Sequence, residues 1–210
     1  MKNYNRKLLS LLALLSVNWN TCFAQAKSGL ENYNMLNQQQ EYLWMPILHY
    51  QAKNGVYTEI RYNYEDVQTL SFYMGKVFSG GENFEFNLTP MLGISTGEFN
   101  GISLAINAET EWKNFYLSSQ TQYSIATKEN NDNFFFSWSE LGYSIADKVF
   151  AGFAIQYTRQ SGVNNSELGF VGGVEFKNIS IPLYVFNPFG NERYFVLGIN
   201  YEFHFKKKHR

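Results

Sequence analysis

The chain has 210 residues and a formal net charge of -1, so it carries no global basic field that would draw nucleic acid. Aromatics make up 18% of it while mean hydropathy is -0.31, which is too polar for a helical membrane protein but right for a barrel that hides its apolar residues at alternate positions. The one cysteine, Cys22, falls near the amino terminus, leaving no disulfide, thiolate metal site or cysteine nucleophile beyond it.

Lys2, Arg6 and Lys7 followed by the apolar run 8–17 read as a signal peptide. The run is too short for a stable transmembrane anchor. Cleavage is expected after Ala24, or after Ala26, because Ala24-Gln25-Ala26 fits the small-x-small rule. A lipoprotein signal ending at Cys22 fits less well, since Trp19-Asn20-Thr21 lack the small apolar residues it requires. An exported chain without a helical anchor is periplasmic, secreted or a barrel.

The mature chain then opens on a polar segment, 25–54. Residues 27–41 show no alternation and read as a polar tail or short helix. Within 42–50, Leu43, Met45, Ile47 and His49 alternate and offer an extra strand.

From residue 55 the period is two. Val56, Thr58, Ile60 and Tyr62 alternate with Tyr57, Glu59, Arg61 and Asn63. Phe84, Phe86, Leu88, Leu92 and Ile94 alternate with Glu85, Asn87, Thr89, Met91 and Gly93. Ile102, Leu104 and Ile106 alternate with Ser103, Ala105 and Asn107. Weaker alternation runs over 67–78, 115–126, 134–146, 149–159 and 167–176, then resumes clearly at 179–186. The last strand is clearest: Phe195, Leu197, Ile199, Tyr201, Phe203 and Phe205 share one face. A helix would smear these residues over every side.

Short turns stand at 112–114, 146–148 and 177–178, and longer polar loops at 127–133, 160–166 and 187–192. The two kinds alternate, as tight periplasmic turns and longer outer loops do in bacterial barrels. The expectation is an all-β fold: a transmembrane antiparallel up-and-down β-barrel of about ten strands over 55–205, with twelve as the alternative and a basic tail at 206–210. A lipocalin-like barrel or β-sandwich is the rival. It would bury the bulky apolar face, whereas here the small and polar residues suit a narrow lumen and the bulky ones suit lipid.

Gly198-Ile199-Asn200-Tyr201-Glu202-Phe203-His204-Phe205 resembles the terminal signature of outer-membrane β-barrels: a glycine, then alternating aromatics ending in Phe. The resemblance implies a porin-like outer-membrane protein whose Gly198, Tyr201, Phe203 and Phe205 are read by the barrel-assembly machinery. The tail after Phe205 departs from members that stop at the Phe. Residues 61–66 and 89–93 also resemble segments of small, uncharacterised outer-membrane barrels.

The lumenal phase collects Glu59, Arg61, Glu85, Glu109, Glu140, Glu175 and Glu202. They form either an acidic pore that favours cations or a salt-bridged network that fills a narrow barrel. Trp112, Trp138, Tyr143, Tyr157 and Tyr201 are girdle candidates. The three histidines, His49, His204 and His209, are not placed for catalysis, and no spacing suggests a metal or cofactor. The expectation is limited passage of small solutes or ions. A plugged barrel with a structural or partner-binding role is the first alternative, and an envelope-modifying enzyme the last. The expected surroundings are outer-membrane lipid, with no nucleic acid.

Overall fold

The computed structural model describes residues 26–39 and 41–204, and the two-residue period resolves there into thirteen strands. They are β1 (Lys27–Asn37), β2 (Tyr42–Gln51), β3 (Val56–Tyr62), β4 (Leu70–Lys76), β5 (Phe78–Gly80), β6 (Glu85–Thr96), β7 (Gly101–Trp112), β8 (Phe115–Ala126), β9 (Phe134–Ala146), β10 (Val149–Gln160), β11 (Val163–Phe176), β12 (Ile179–Phe186) and β13 (Tyr194–His204). Neighbours in sequence pair antiparallel except β4 and β5, which both pair β6, and β1 pairs β13 from Lys27 opposite His204 to Asn37 opposite Tyr194. The sheet is therefore closed and has no free edge.

β4 and β5 are one stave of the wall. Both pair with β6 in one register, from Leu70 opposite Thr96 to Gly80 opposite Phe86. That register sets Lys76 opposite Pro90, which has no N–H to donate, and the ladder lapses there. The barrel thus has twelve staves, the alternative count rather than the favoured ten. The difference lies in residues 27–37 and 42–51, which are two staves of the wall, the first of them in place of the expected polar tail or short helix.

The missed strand is β1. Its lumenal side chains are Gly29, Glu31, Tyr33 and Met35, while its outward face carries Asn32 and Asn34 among Leu30 and Leu36. Those amides are covered from β2: the Trp44 indole N–H donates to Asn32 Oδ1, and the Tyr42 hydroxyl donates to Asn34 Oδ1 at 2.6 Å. Two polar residues in the oily phase erase the alternation from the sequence, and their aromatic neighbours make them tolerable in lipid.

Outward residues are bulky and bare: Leu92 is 61% exposed, Leu104 58%, Phe153 63% and Leu168 64%. Inward residues include fully buried Arg61, Ser71, Ser103 and Ser124. This inside-out arrangement is the reverse of a soluble barrel. A continuous belt of this kind is stable against hydrocarbon and not against water.

Lys27 and His204 stand at one end, with turns of at most four residues. The opposite end carries the longer connections, of seven residues each at 63–69, 127–133 and 187–193. Short turns and chain ends mark the periplasmic side, longer loops the outer side. One expected loop is absent: β10 and β11 run on through 160–166 and are joined by Ser161 and Gly162 at φ 52° and 79°, a two-residue hairpin turn. The expected signal peptide, Phe205 and the basic tail lie outside the described residues.

Candidate functional site

Twelve strands about 4.8 Å apart and tilted give a backbone diameter of roughly 24 Å, wide enough for a lumen that is filled or hollow according to its side chains. This lumen is both. Its half at the long-loop end is packed. Arg61 on β3 is 1% exposed, its Nε bonds Glu59, and its Nη1 donates to Gln122 Oε1 of β8 at 2.8 Å. Across the lumen, the Tyr33 ring of β1 meets Trp138 of β9 at 5.8 Å between centroids. Tyr184, Phe186, Tyr194 and Val196 pack beside Trp138.

The seal between these walls comes from a loop. Residues 63–69 fold into the barrel, closed at the base by Asn63 N–H to the Thr69 carbonyl at 3.0 Å. Glu65 is buried there, accepting from Tyr73 at 2.8 Å and Ser71 at 2.5 Å, with Arg61 Nη1 at 3.4 Å. Tyr64 donates to Gln120 and sets its ring against Phe136 at 5.7 Å, while the Arg61 guanidinium lies 4.6 Å from the Tyr64 ring. The wall makes room: a Cβ on Gly93 would stand 2.3 Å from Tyr73 Cε1, so only glycine lets that ring lie flat beside Arg61.

The half at the short-turn end is hollow. A cavity of about 420 Å³ opens at Lys27, Lys177 and Glu202 and reaches inward to Tyr33, Tyr64 and Trp138. Glu31, Glu109, Glu140, Glu175 and Glu202 line it, against Lys27 and Lys177. Strand pairing orders the polar groups in two rows. Asn87, Glu109, Ser118 and Glu140 follow one another across β6, β7, β8 and β9. Glu31, Asn200, Ser180 and Glu175 do so across β1, β13, β12 and β11. Glu140 accepts from the Tyr184 hydroxyl at 2.8 Å, and Glu31 from Tyr33 at 3.0 Å.

The lumenal residues expected from the phase of alternation therefore separate. Glu59 and Arg61 belong to the packed half. Glu109, Glu140, Glu175 and Glu202 line the vestibule. Glu85 is exposed at the short-turn rim beside Glu82 and Glu111, one same-face pair beyond Glu109 in the β6–β7 ladder. Trp138 is no girdle residue: it is 8% exposed and forms the vestibule floor. His49 does not precede the barrel but points into it from β2. Its Nδ1 lies 3.0 Å from the Tyr57 hydroxyl and 3.7 Å from Glu31, and a Cβ on Gly29 would collide with its ring at 1.8 Å. Glu31, His49, Tyr64 and Glu65 were not anticipated. The first two follow from the missed strand and the other two from a loop that folds inward. Gly198 faces the lumen against Pro182 and Tyr33, whereas Tyr201 and Phe203 face outward with ring centroids 4.3 Å apart.

No family model matches the chain, and no curated protein matches it in sequence. Solved structures match its fold. A structure of KdgM porin is 11% identical with a TM-score of 0.61, over 84% of this chain and 99% of that one. KdgM porin in complex with disordered oligogalacturonate gives 0.64 at 10% identity, again over 84% and 99%. NanC porin in a rhombohedral crystal form gives 0.56 at 10%, over 85% and 100%. The fold is that of a small porin barrel. Its length, closure and lipid-facing belt are those of a porin-like barrel of the outer-membrane type, and the hollow half of its lumen faces the short-turn end.

Proposed function

We propose that the chain is an outer-membrane porin-like barrel that passes small solutes and ions sparingly, prefers cations, and is gated by residues 63–69. The observation that carries this reading is the division of the lumen. Half is an open acidic vestibule, and the seal across the rest includes side chains of a loop, Tyr64 and Glu65, rather than of the wall alone. A ring of carboxylates concentrates cations and repels anions. The oligogalacturonate of the KdgM structure is a polyanion, and its chemistry does not suit a vestibule with five glutamates and two lysines. In this reading the surroundings are outer-membrane lipid and, during biogenesis, the barrel-assembly machinery.

The plugged barrel is the second reading, and the contacts of Arg61 with Gln122 and of Tyr33 with Trp138 favour it. For the enzymatic reading the described residues offer an exposed pair at the long-loop rim, Ser161 donating to Asp132 at 2.5 Å, and a serine beside a lone carboxylate lacks the imidazole or amine base of a nucleophile. Single-channel recording in planar bilayers separates passage from plug. Passage requires small, intermittent, cation-selective openings. Stable insertion without conductance, in the parent and in Tyr64→Ala alike, selects the plug.

A further inference from the structure

We propose that the vestibule is a binding site for a linear diamine or polyamine entering from the periplasmic side. This names a solute class for the lumen just described and rests on that reading of it as a passage. The charge balance comes first. Arg61, the barrel's deepest cation, is already held by Glu59 and Glu65, and Lys27 lies 3.6 Å from Glu202. Among the described residues no lysine, arginine or histidine is within ion-pair distance of Glu140, which accepts a hydrogen bond from the Tyr184 phenol. Glu31 has only the Tyr33 phenol and His49 at 3.7 Å. Glu140 is thus hydrogen-bonded but has no cationic partner among the described residues.

Their spacing selects the cation. Glu109 and Glu140 are two strands apart with Ser118 between them, about 10 Å at the usual strand separation. Glu31 and Glu175 are three strands apart, about 14 Å on the same measure. A bare ion cannot reach two such groups, and no cluster of three metal ligands exists among the described residues. Ammonium groups joined by methylenes can. The Asn107 and Asn200 side-chain oxygens in these walls are buried without a hydrogen-bond partner. Tyr33 and Trp138 at the floor supply ring surface for the methylenes and for cation–π contact.

The test is titration calorimetry on the full mature barrel refolded in detergent, with heat-modifiable mobility confirming the fold of every variant. The probes are spermidine and 1,4-diaminobutane, compared with butylamine, maltotriose and trigalacturonate. Saturable spermidine binding is expected, with butylamine about tenfold weaker and Glu140→Gln or Glu31→Gln weakening spermidine by about tenfold or more. Glu109→Gln serves where either fails to fold. Glu192→Gln in the outer loop leaves binding unchanged. Absence of saturable spermidine binding, equal binding by all variants, or tighter binding of maltotriose overturns the proposal. Conductance separates it from the passage reading: conductance without spermidine binding overturns this inference alone, and spermidine binding without conductance overturns passage alone.

Discussion

The Tyr64 hydroxyl donates to Gln120 Oε1 at 2.6 Å, and this bond runs from an outer loop across the lumen to β8. Burial pushes the Tyr64 phenol above its ordinary range, so it remains a neutral donor at every physiological pH. With its ring against Phe136 on β9, Tyr64 ties the loop to two strands of the far wall.

Tyr64→Ala should therefore enlarge the conductance and lengthen openings in planar-bilayer recordings. Tyr64→Phe keeps the ring contact and loses the bond, and should fall between the parent and Tyr64→Ala. If both variants match the parent, the closure rests on Arg61 and the aromatic wall and the loop is not the gate.

Arg61 is a stability determinant as well as a bar across the lumen. Arg61→Met leaves Glu59 and Glu65 buried without their cation, and breaking such a pair costs about 3–5 kcal/mol. Urea unfolding of the folded barrel in detergent, followed by tryptophan fluorescence, reads the loss. Adding Glu59→Gln and Glu65→Gln to Arg61→Met should recover most of it, because the uncompensated charges are then gone. A single variant as stable as the parent would show that water, not protein, surrounds the guanidinium.

The parts of this barrel legible in the sequence are those where lipid dictates the residue. On β13, Phe195, Leu197, Ile199, Tyr201 and Phe203 all face outward, and Glu109, Glu140 and Glu175, in the opposite phase of their strands, line the cavity. β1 was hidden because Asn32 and Asn34 occupy lipid-facing positions, and hydrogen bonds from Trp44 and Tyr42 are visible only after folding. Missing β1 also hid Glu31 and the lumenal place of His49. The inward fold of residues 63–69 had no local signal at all, since Tyr64 is fixed by Gln120, which lies 56 residues away.

The terminal strand offers a test of assembly. A Cβ on Gly198 would stand 2.6 Å from Pro182 and 3.1 Å from Tyr33. Gly198→Val should sharply lower the folded fraction seen by heat-modifiable mobility, and Phe205→Ser should do so through the assembly signal. Removing residues 206–210 should matter much less. Equal effects of the truncation and of Phe205→Ser would show that the likeness to the assembly signal is accidental.

Topology can be read on intact cells. A short tag between Lys128 and Asn131 should be accessible to added protease, and one at Asp147-Lys148 should be protected until the outer membrane is permeabilised. Cleavage at the second site in intact cells would invert the barrel, placing the vestibule outside.

Charge selectivity tests the vestibule itself. Glu109 on β7 and Glu175 on β11 are exposed to its water, so neither is needed for packing and both act on ions through space. Glu109→Gln with Glu175→Gln should move the reversal potential in a potassium chloride gradient toward zero, with little change in folded yield. Combining them with Tyr64→Ala provides a current large enough to measure. The shift should be largest in dilute salt, where screening reaches roughly 30 Å at 0.01 M against about 3 Å at 1 M. Glu85→Gln gives the contrast, because that carboxylate sits on the rim rather than in the vestibule. It should shift the reversal potential much less. An equal shift from Glu85→Gln would mean that selectivity is set by general surface charge at the mouth, and an unchanged potential in all variants would remove the carboxylate rows from any part in conduction.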